Sequence, residues 1–459
     1  MNDVKISLIG AGSANFAMSM VKDIVLTEAL AGCTLSLMDI DNERLSGVHA
    51  IATKYSEKTG AKIGVEKTTS REESLRGADY VINTVMAGGH EDQEVMRAVG
   101  EENGYYRGLD AAEHNMISDY YTVQGYNQFE LILDIASSVR DIAPDAWFLD
   151  AANPVCEVTT LLGRKSRLKN FIGFCHGWKG VLTLAKTLNF DMDEVDFQVA
   201  GFNHNIFLNR FKYRGKDAYP IVDEWLEKNS EKFWETYVSE YNYQMSRAAG
   251  DMYGIYGVYP IGDTCRSGTW KYHYDFKTKQ YWYGPNGGFD SDPGLRHWLD
   301  MLANRTKTVM ALIDQPASEV LKEFPPIKTT TTENPEHIIP FIEANVTGIK
   351  QRLVLNIMNA DIIPGIPENV AVEVNCSVDD KGVHKEKIDK LPDRVLNNVL
   401  IPRLTRLEWV MDAYFSGSRD ALLEIVYRDP RTRSDEQAIK VLDEILSLSF
   451  NAAMNKHYQ

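Results

Sequence analysis

Cysteine is scarce. Five residues in 459, at positions 33, 156, 175, 265 and 376, form an odd set with no Cys-x-x-Cys spacing, which argues against a disulfide framework and leaves a thiol free for other work. Positive charge is short as well: 49 Lys and Arg stand against 65 Asp and Glu, for a formal charge of −16 and a pI near 5.2. The basic footprint that nucleic-acid phosphates demand is therefore missing. No apolar run is long enough to cross a bilayer, and the N-terminus shows no basic stretch ahead of an apolar core, so no membrane partner and a cytoplasmic location are expected. Internal repeats are absent. With 44% hydrophobic and 25% charged residues the chain has the composition of a globular protein. Its length exceeds one ordinary core and predicts a two-lobed α/β enzyme.

The most informative stretch is Lys5 to Asn15. An apolar strand (Ile6, Leu8, Ile9) runs into Gly10-Ala-Gly12-Ser13-Ala14-Asn15, and a helical pattern follows from Phe16 to about Leu30. Glycines at a strand-to-helix turn suit a dinucleotide. Gly10 permits the tight turn, Gly12 lets a pyrophosphate approach, and the helix start supplies free N–H groups. Asn15 replaces the third glycine of the fingerprint. The next strand, Thr34 to Met38, ends in Asp39, placed to accept hydrogen bonds from an adenosine ribose, and an acid there favours NAD over NADP.

Strand and helix patterns alternate through the first half: strands at 4–9, 34–39, 62–66, 79–85, 146–149 and 171–174, with helices at 14–30, 42–58 and 120–142. The alternation predicts a Rossmann-type, doubly wound parallel sheet over 1–195, whose ligands lie beyond the strands' carboxyl ends. Gly10 to Asn15, Asp39, Asn83, Val85 to His90, Ala151 to Pro154 and Cys175-His176-Gly177 should face one cleft. From about 196 to 459 the pattern becomes mixed and rich in aromatics, predicting a second α+β lobe that closes over the nicotinamide end. Within it, Glu323 to Pro340 reads as a loop or lid margin. Ser434-Asp-Glu-Gln437 fits a capping box ahead of the apolar spacing Ile439, Val441, Leu442, Ile445.

Two segments carry the most chemistry, Gly173-Phe-Cys175-His176-Gly177 and Ala200-Gly-Phe-Asn203-His204-Asn205. Cys175 and His204 are too far apart in sequence for a local metal knuckle and could meet only through the fold. Taken alone, a buried inert thiol and a core imidazole account for them equally well. Asp119, Asn153, Asp263 and Arg266 likewise read as turn or cap residues unless something brings them together.

Ordered motifs along the whole chain supply that something. Val4 to Ser13, Gly104-Tyr-Tyr-Arg-Gly108, Ala152-Asn-Pro154, Gly173 to Gly177, Val199 to His204, Pro260-Ile-Gly-Asp-Thr264, Gly268 to His273 and Tyr427 to Thr432 resemble family 4 of the glycoside hydrolases, in particular its α-glucosidase and α-glucuronidase branch. The resemblance implies NAD- and Mn²⁺-dependent hydrolysis without net redox change, outside the usual two-carboxylate scheme. NAD⁺ takes a hydride from carbon 3, a base removes the acidified proton at carbon 2, the aglycone leaves carbon 1, water adds, and the hydride returns. It also implies a second lobe like the C-terminal domain of lactate and malate dehydrogenases, and a homo-oligomer, dimer or tetramer.

Carried across residue by residue, the resemblance makes Cys175 and His204 the Mn²⁺ ligands and Asp263 the base at carbon 2. Asp119 and His176 line the sugar site and are the candidates for the acid. Asn153 serves sugar hydroxyls and nicotinamide, and Arg266 a sugar or carboxylate; Gly10, Gly12, Ser13, Ala14, Asn15, Phe16, Asp39 and Asn83 belong to the cofactor. Pro335-Glu-His-Ile-Ile-Pro340-Phe341 departs from the family's corresponding segment. The expected substrate is an α-glucoside, with uronides and α-galactosides as alternatives; no basic cluster calls for a phosphorylated sugar. The competing class is an NAD-dependent hydroxy-acid dehydrogenase sharing the cofactor lobe.

Overall fold

The computed structural model describes residues 4–106, 115–117, 122–236, 243–328 and 336–459. Six parallel strands form one half of the sheet: β1 (Lys5–Ile9), β2 (Thr34–Met38), β3 (Gly64–Thr68), β4 (Tyr80–Asn83), β5 (Trp147–Asp150) and β6 (Asn170–Gly173). Their order is β3-β2-β1-β4-β5-β6. The inner strands are apolar on both faces, as a sheet covered by helices on both sides requires. β3 at the edge is not: Glu66 and Lys67 stand exposed and blunt it. The connecting helices include α1 (Asn15–Leu26), α2 (Asn42–Thr59), α3 (Gly89–Glu102), α4 (Tyr126–Ile142) and α5 (Val155–Leu161). The doubly wound architecture predicted from the sequence is thus present.

Boundaries differ locally. α1 stops at Leu26, where Thr27 turns extended, and a separate 3₁₀ turn covers Glu28–Leu30. α4 starts at Tyr126 rather than near 120, after a 3₁₀ turn at Val123–Gly125.

The second lobe does not stand apart from the first. β7 (Val195–Phe202), β8 (Asn205–Tyr213), β9 (Lys216–Asp217), β10 (Tyr259–Ile261), β11 (Gln351–Met358), β12 (Ala371–Asp379) and β13 (Gly382–Lys385) extend the same sheet in antiparallel fashion. Thirteen strands result among the described residues, and β11 joins β6 through Asn356 and Gly173. The register then sets one row across four strands: Gly173, Asn356, Glu373 and Gly201. Two residues beyond the ends of that row lie Cys175 on one side and Asn203, with His204, on the other. Distant segments of the sequence are brought to one level of the sheet by strand pairing alone.

The last helices fold back on the first lobe. Gln437 Nε2 donates to the Asn103 carbonyl at 2.7 Å, and the Met116 N–H donates to Asp429 Oδ2 at 3.0 Å. The predicted cap is half formed. Ser434 Oγ accepts from the Gln437 N–H, but Gln437 Oε1 accepts from Arg433 N–H, one residue earlier than a reciprocal box. Among the described residues no helix is long and apolar enough to cross a membrane.

Asp150, at the end of β5, is fully buried and accepts from Asn83 Nδ2 at 2.8 Å. Burial pushes its carboxyl from the ordinary 3.8 up to about 7, against hydrogen bonds from Asn83 and the Ala152 backbone. An acid whose folded pKa lies above its unfolded one keeps a proton that the unfolded chain releases. Stability is therefore lost as pH rises through this window, from about 4 to about 7. Asp150→Asn keeps an acceptor for Asn83 and cannot ionise, so its melting temperature should fall less than wild type across that window. Parallel pH–Tm curves would show that burial does not raise the Asp150 carboxyl above its unfolded value.

Candidate active site

The cofactor end is built from backbone. Gly10 closes β1 with φ 92°. The Gly12 N–H donates to Asp39 Oδ2 at 2.7 Å, and Asp41 N–H donates to Asp39 Oδ1 at 2.9 Å. A Cβ on Gly12 would stand 2.7 Å from that same carboxylate oxygen, so glycine is what lets Asp39 reach the loop. No side chain caps the start of α1, and Ser13 Oγ is buried without a partner. The first-turn N–H groups are thus left for an anion. A dinucleotide pyrophosphate fits here, over Gly10, Gly12, Ser13, Ala14, Asn15 and Phe16. Ile40, beside Asp39, is 90% exposed and offers the apolar face that an adenine would cover. Sequence reasoning passed over it, although an isoleucine between two aspartates was a visible oddity.

Asn83 sits differently from expectation. It is fully buried and its amide is given to Asp150, so it underlies the cleft and turns its donor away from a ligand. Asn153 remains available: its Oδ1 has no partner, and the residue lines a pocket with Met86, Ala87, Gln93, Gln124 and Gln128. Asp119 lies outside the described residues.

Three loops form the other end. Cys175 and His176 follow β6. Asn203 and His204 make the two-residue turn between β7 and β8, where Phe202 pairs with Asn205. Asp263 and Arg266 lie in the 3₁₀ turn Gly262–Arg266 after β10. Gly262 has φ 62°, and a Cβ there would lie 2.5 Å from the Gly177 carbonyl oxygen; the absence of that atom allows the first and third loops to touch. Thr264 Oγ1 accepts from the Ile206 N–H at 2.8 Å and donates to the Ile206 carbonyl at 3.0 Å, tying the third loop to the strand that follows His204.

The side chains converge accordingly. His204 Nε2 is 3.1 Å from Asp263 Oδ2, and Arg266 Nε is 3.1 Å from Asp263 Oδ1. Arg266 also lies 3.6 Å from Asp290 Oδ2, over the rings of Tyr243 and Phe289. Its Nε is therefore directed to two aspartates, and within the site it orients Asp263. His176 Nδ1 is 3.2 Å from Glu336 Oε1. His204 adopts φ 64°, a left-handed conformation that costs a non-glycine residue about 1–3 kcal/mol and persists where the surroundings impose it.

Charge follows from burial. Burial lowers His204 to about 4, with Asp263 opposing, so its ring is neutral and able to ligate. Burial, with Glu373, Glu336 and Asp263 adding to it, holds the Cys175 thiol well above its ordinary value. Burial would raise Asp263 too, but Arg266, His204 and His176 pull its carboxyl well below the usual range. The hydrogen bond that its Nδ1–H donates to Glu336 lifts His176 to about 9 and keeps it charged at neutral pH. Buried carboxyls thus crowd a thiol and a neutral imidazole, a setting that a divalent cation relieves by stabilising the thiolate. Among the described residues no three His, Cys, Asp or Glu side chains make a closed cage. A cation held by Cys175 and His204 would keep open positions for substrate oxygens, as catalytic ions do.

Glu336, Glu373, Asn203 and Tyr243 were not singled out from the sequence. For Glu373 a signal existed: an acid inside the apolar run Ala371-Val-Glu-Val374, on a strand buried along its length.

The chain matches the family model "Family 4 glycosyl hydrolase" over residues 5–190 and "Family 4 glycosyl hydrolase C-terminal domain" over 199–432. It is 26% identical over 451 residues to an α-galactosidase of Bacillus subtilis (strain 168), covering 96% of this chain and 97% of that one. To an α-glucosidase of Erwinia rhapontici it is 26% identical over 477 residues, with 96% and 97% covered. Its fold is similar to that of a 6-phospho-α-glucosidase from gut microorganisms, solved with NAD and Mn²⁺, at a TM-score of 0.77 and 19% identity over 99% of both chains. The two family models together run through nearly the whole sheet and every loop of the site, and the chain belongs to family 4 of the glycosyl hydrolases.

Proposed function

We propose that this family 4 glycosyl hydrolase is an α-glucosidase that uses NAD and Mn²⁺. The observation that carries the reading is that the loops bearing Cys175, His204 and Asp263 lie beside one another at one level of the sheet, with His204 3.1 Å from Asp263 and Gly262 packed on Gly177, while an open Gly-loop and helix start follow the carboxyl end of β1. When bound, NAD supplies a reversible oxidation at carbon 3 of the sugar and Mn²⁺ polarises the carbonyl so formed, which acidifies the proton on carbon 2.

The chain's own residues then have defined tasks. Cys175 and His204 hold the ion. Asp263, ionised and aimed by Arg266, takes the carbon-2 proton. His176 has Nδ1 turned to Glu336, its side chain is 59% exposed, and it holds a proton that Nε2 can deliver to the departing oxygen. Asn153 offers its unpartnered Oδ1 to a sugar hydroxyl. Asp119 remains part of the sugar-binding proposal. The reading includes a cytoplasmic location, in keeping with five free, buried cysteines. It also includes a homo-oligomer, for which the exposed rings of Tyr274 and Tyr281 are surfaces to cover.

The test is to incubate the protein in reducing buffer with p-nitrophenyl α-glucoside, α-galactoside, α-galacturonide and α-glucuronide, with and without NAD⁺ and Mn²⁺. Release from the glucoside only when both are present is expected. A preference for a uronide or galactoside would correct the sugar, and undiminished release without NAD⁺ and Mn²⁺ would remove the mechanism. A hydroxy-acid dehydrogenase would instead accumulate NADH in step with substrate.

A further inference from the structure

Between the two loops that carry Cys175 and His204 lies a carboxyl group that no step above employs. Glu373 is on β12, 1% exposed, and it occupies the row that joins Gly173 to Gly201. Its Oε2 accepts a hydrogen bond from Asn203 Nδ2 at 2.8 Å. Asn203 is itself fully buried and immediately precedes His204 in the two-residue turn. Asn356, directly across β11 from Glu373, is also buried and polar. On its other side Glu373 acts on Cys175, whose thiol feels this carboxyl ahead of Glu336 and Asp263.

A buried carboxyl is costly to keep in the middle of a strand, and a valine would fill the space more stably. The left-handed His204 raises the same question from the other direction. A two-residue turn with histidine at a positive φ is disfavoured locally, and Gly201 before it admits no side chain, since a Cβ there would lie 2.0 Å from the Asn205 carbonyl oxygen. The turn is therefore held from outside, and the Asn203 amide is the side-chain arm by which β12 reaches it.

We infer that Glu373 is a positioning residue for the metal ligand His204, acting through the Asn203 amide. The inference rests on the proposed Mn²⁺ site. Its chemistry is that of an outer carboxyl that orients a ligand without touching the ion. Loss of such a partner commonly weakens metal binding by about 10- to 100-fold. The role requires an acceptor at the Glu373 position and does not require its charge.

The experiment measures binding, with Mn²⁺ alone titrated into the purified full-length protein and free Mn²⁺ followed by electron paramagnetic resonance. NAD⁺ affinity and melting temperature are measured alongside. Glu373→Ala and Asn203→Ala should each weaken Mn²⁺ by about 10- to 100-fold, with NAD⁺ affinity held within about twofold, and Glu373→Gln should stay close to wild type because its amide oxygen still accepts from Asn203. In Co²⁺-loaded protein the ligand-field bands should shift in the two alanine variants and not in Glu373→Gln. If Glu373→Ala does not fold, Asn203→Ala and Glu373→Gln decide the matter. Wild-type Mn²⁺ affinity in Asn203→Ala would overturn the inference, and so would a loss in Glu373→Gln as large as that in Asn203→Ala. Failure of the underlying site would look different: wild type and Cys175→Ser would then bind Mn²⁺ alike, whatever happens at Glu373.

Discussion

Asp263→Asn should lower kcat by about 10²- to 10⁴-fold, the usual range for removing a positioned base, while NAD⁺ affinity changes little. The geometry gives the reason for both halves. Asp263 is 8% exposed and held between His204 at 3.1 Å and Arg266 at 3.1 Å, so its carboxylate has one orientation and is ionised throughout the physiological range. A carboxylate so stabilised is a weak base, and it can remove a carbon-bound proton only when an adjacent carbonyl has made that proton acidic. This dependence distinguishes a base from a mere support. A sugar deuterated at carbon 2 should exchange its label with solvent in wild type, and exchange should fall in Asp263→Asn as steeply as turnover does. Full exchange in a slow variant would place the loss at another step and move the base elsewhere. Because Asp263 touches His204, Mn²⁺ affinity must be measured in the same variant and the assay run at saturating ion.

The parts of this site that could be read in the sequence are those made by neighbours in the chain. Strand, glycine turn and helix follow one another from Lys5 to Leu26, and Asp39 closes the next strand, so period and spacing suffice there. That the loops of Cys175 and His204 fall at one level of the sheet could not be obtained from spacing, since it depends on β6 pairing with β11, β11 with β12 and β12 with β7. Only the family resemblance anticipated it. Glu373 and Glu336 were missed for a related reason: each lies some 150 residues or more along the chain from Cys175, and only the fold brings them near it. Arg266 illustrates a different limit. Its charge was legible, but a lone cation cannot announce that Asp263 and Asp290 will both claim it. The single shared sheet was hidden too, because the antiparallel strands of the second lobe give no sign in their own sequence that one of them, β11, will dock on the parallel half.

The largest stability effect is expected beneath the site rather than in it. Arg403, on the helix α6 (Ile401–Ser416), lies 2.5 Å from Glu157 on α5, and the two side chains are 1% and 0% exposed. This pair ties a helix of the last sixty residues to the segment that follows Asn153 and Pro154, and Arg403 is close enough to contribute to the lowered pKa of His204. Two buried charges gain little over apolar packing while both are present, because desolvation offsets most of their attraction; removing the cation leaves the Glu157 carboxylate stranded. Arg403→Met alone should therefore cost about 3–5 kcal/mol, read as a fall in the midpoint of chemical unfolding. The double variant, Arg403→Met with Glu157→Leu, should recover most of that loss, since neither charge is then left unpaired and the two apolar side chains can pack against each other. His204 titration in the double variant, followed by NMR, should move upward once the cation is gone. An Arg403→Met variant as stable as wild type would mean that water reaches Glu157. A double variant no better than Arg403→Met alone would mean that the ion pair is needed to hold α5 under the site, and its value would then lie in specificity of packing rather than in the avoided charge.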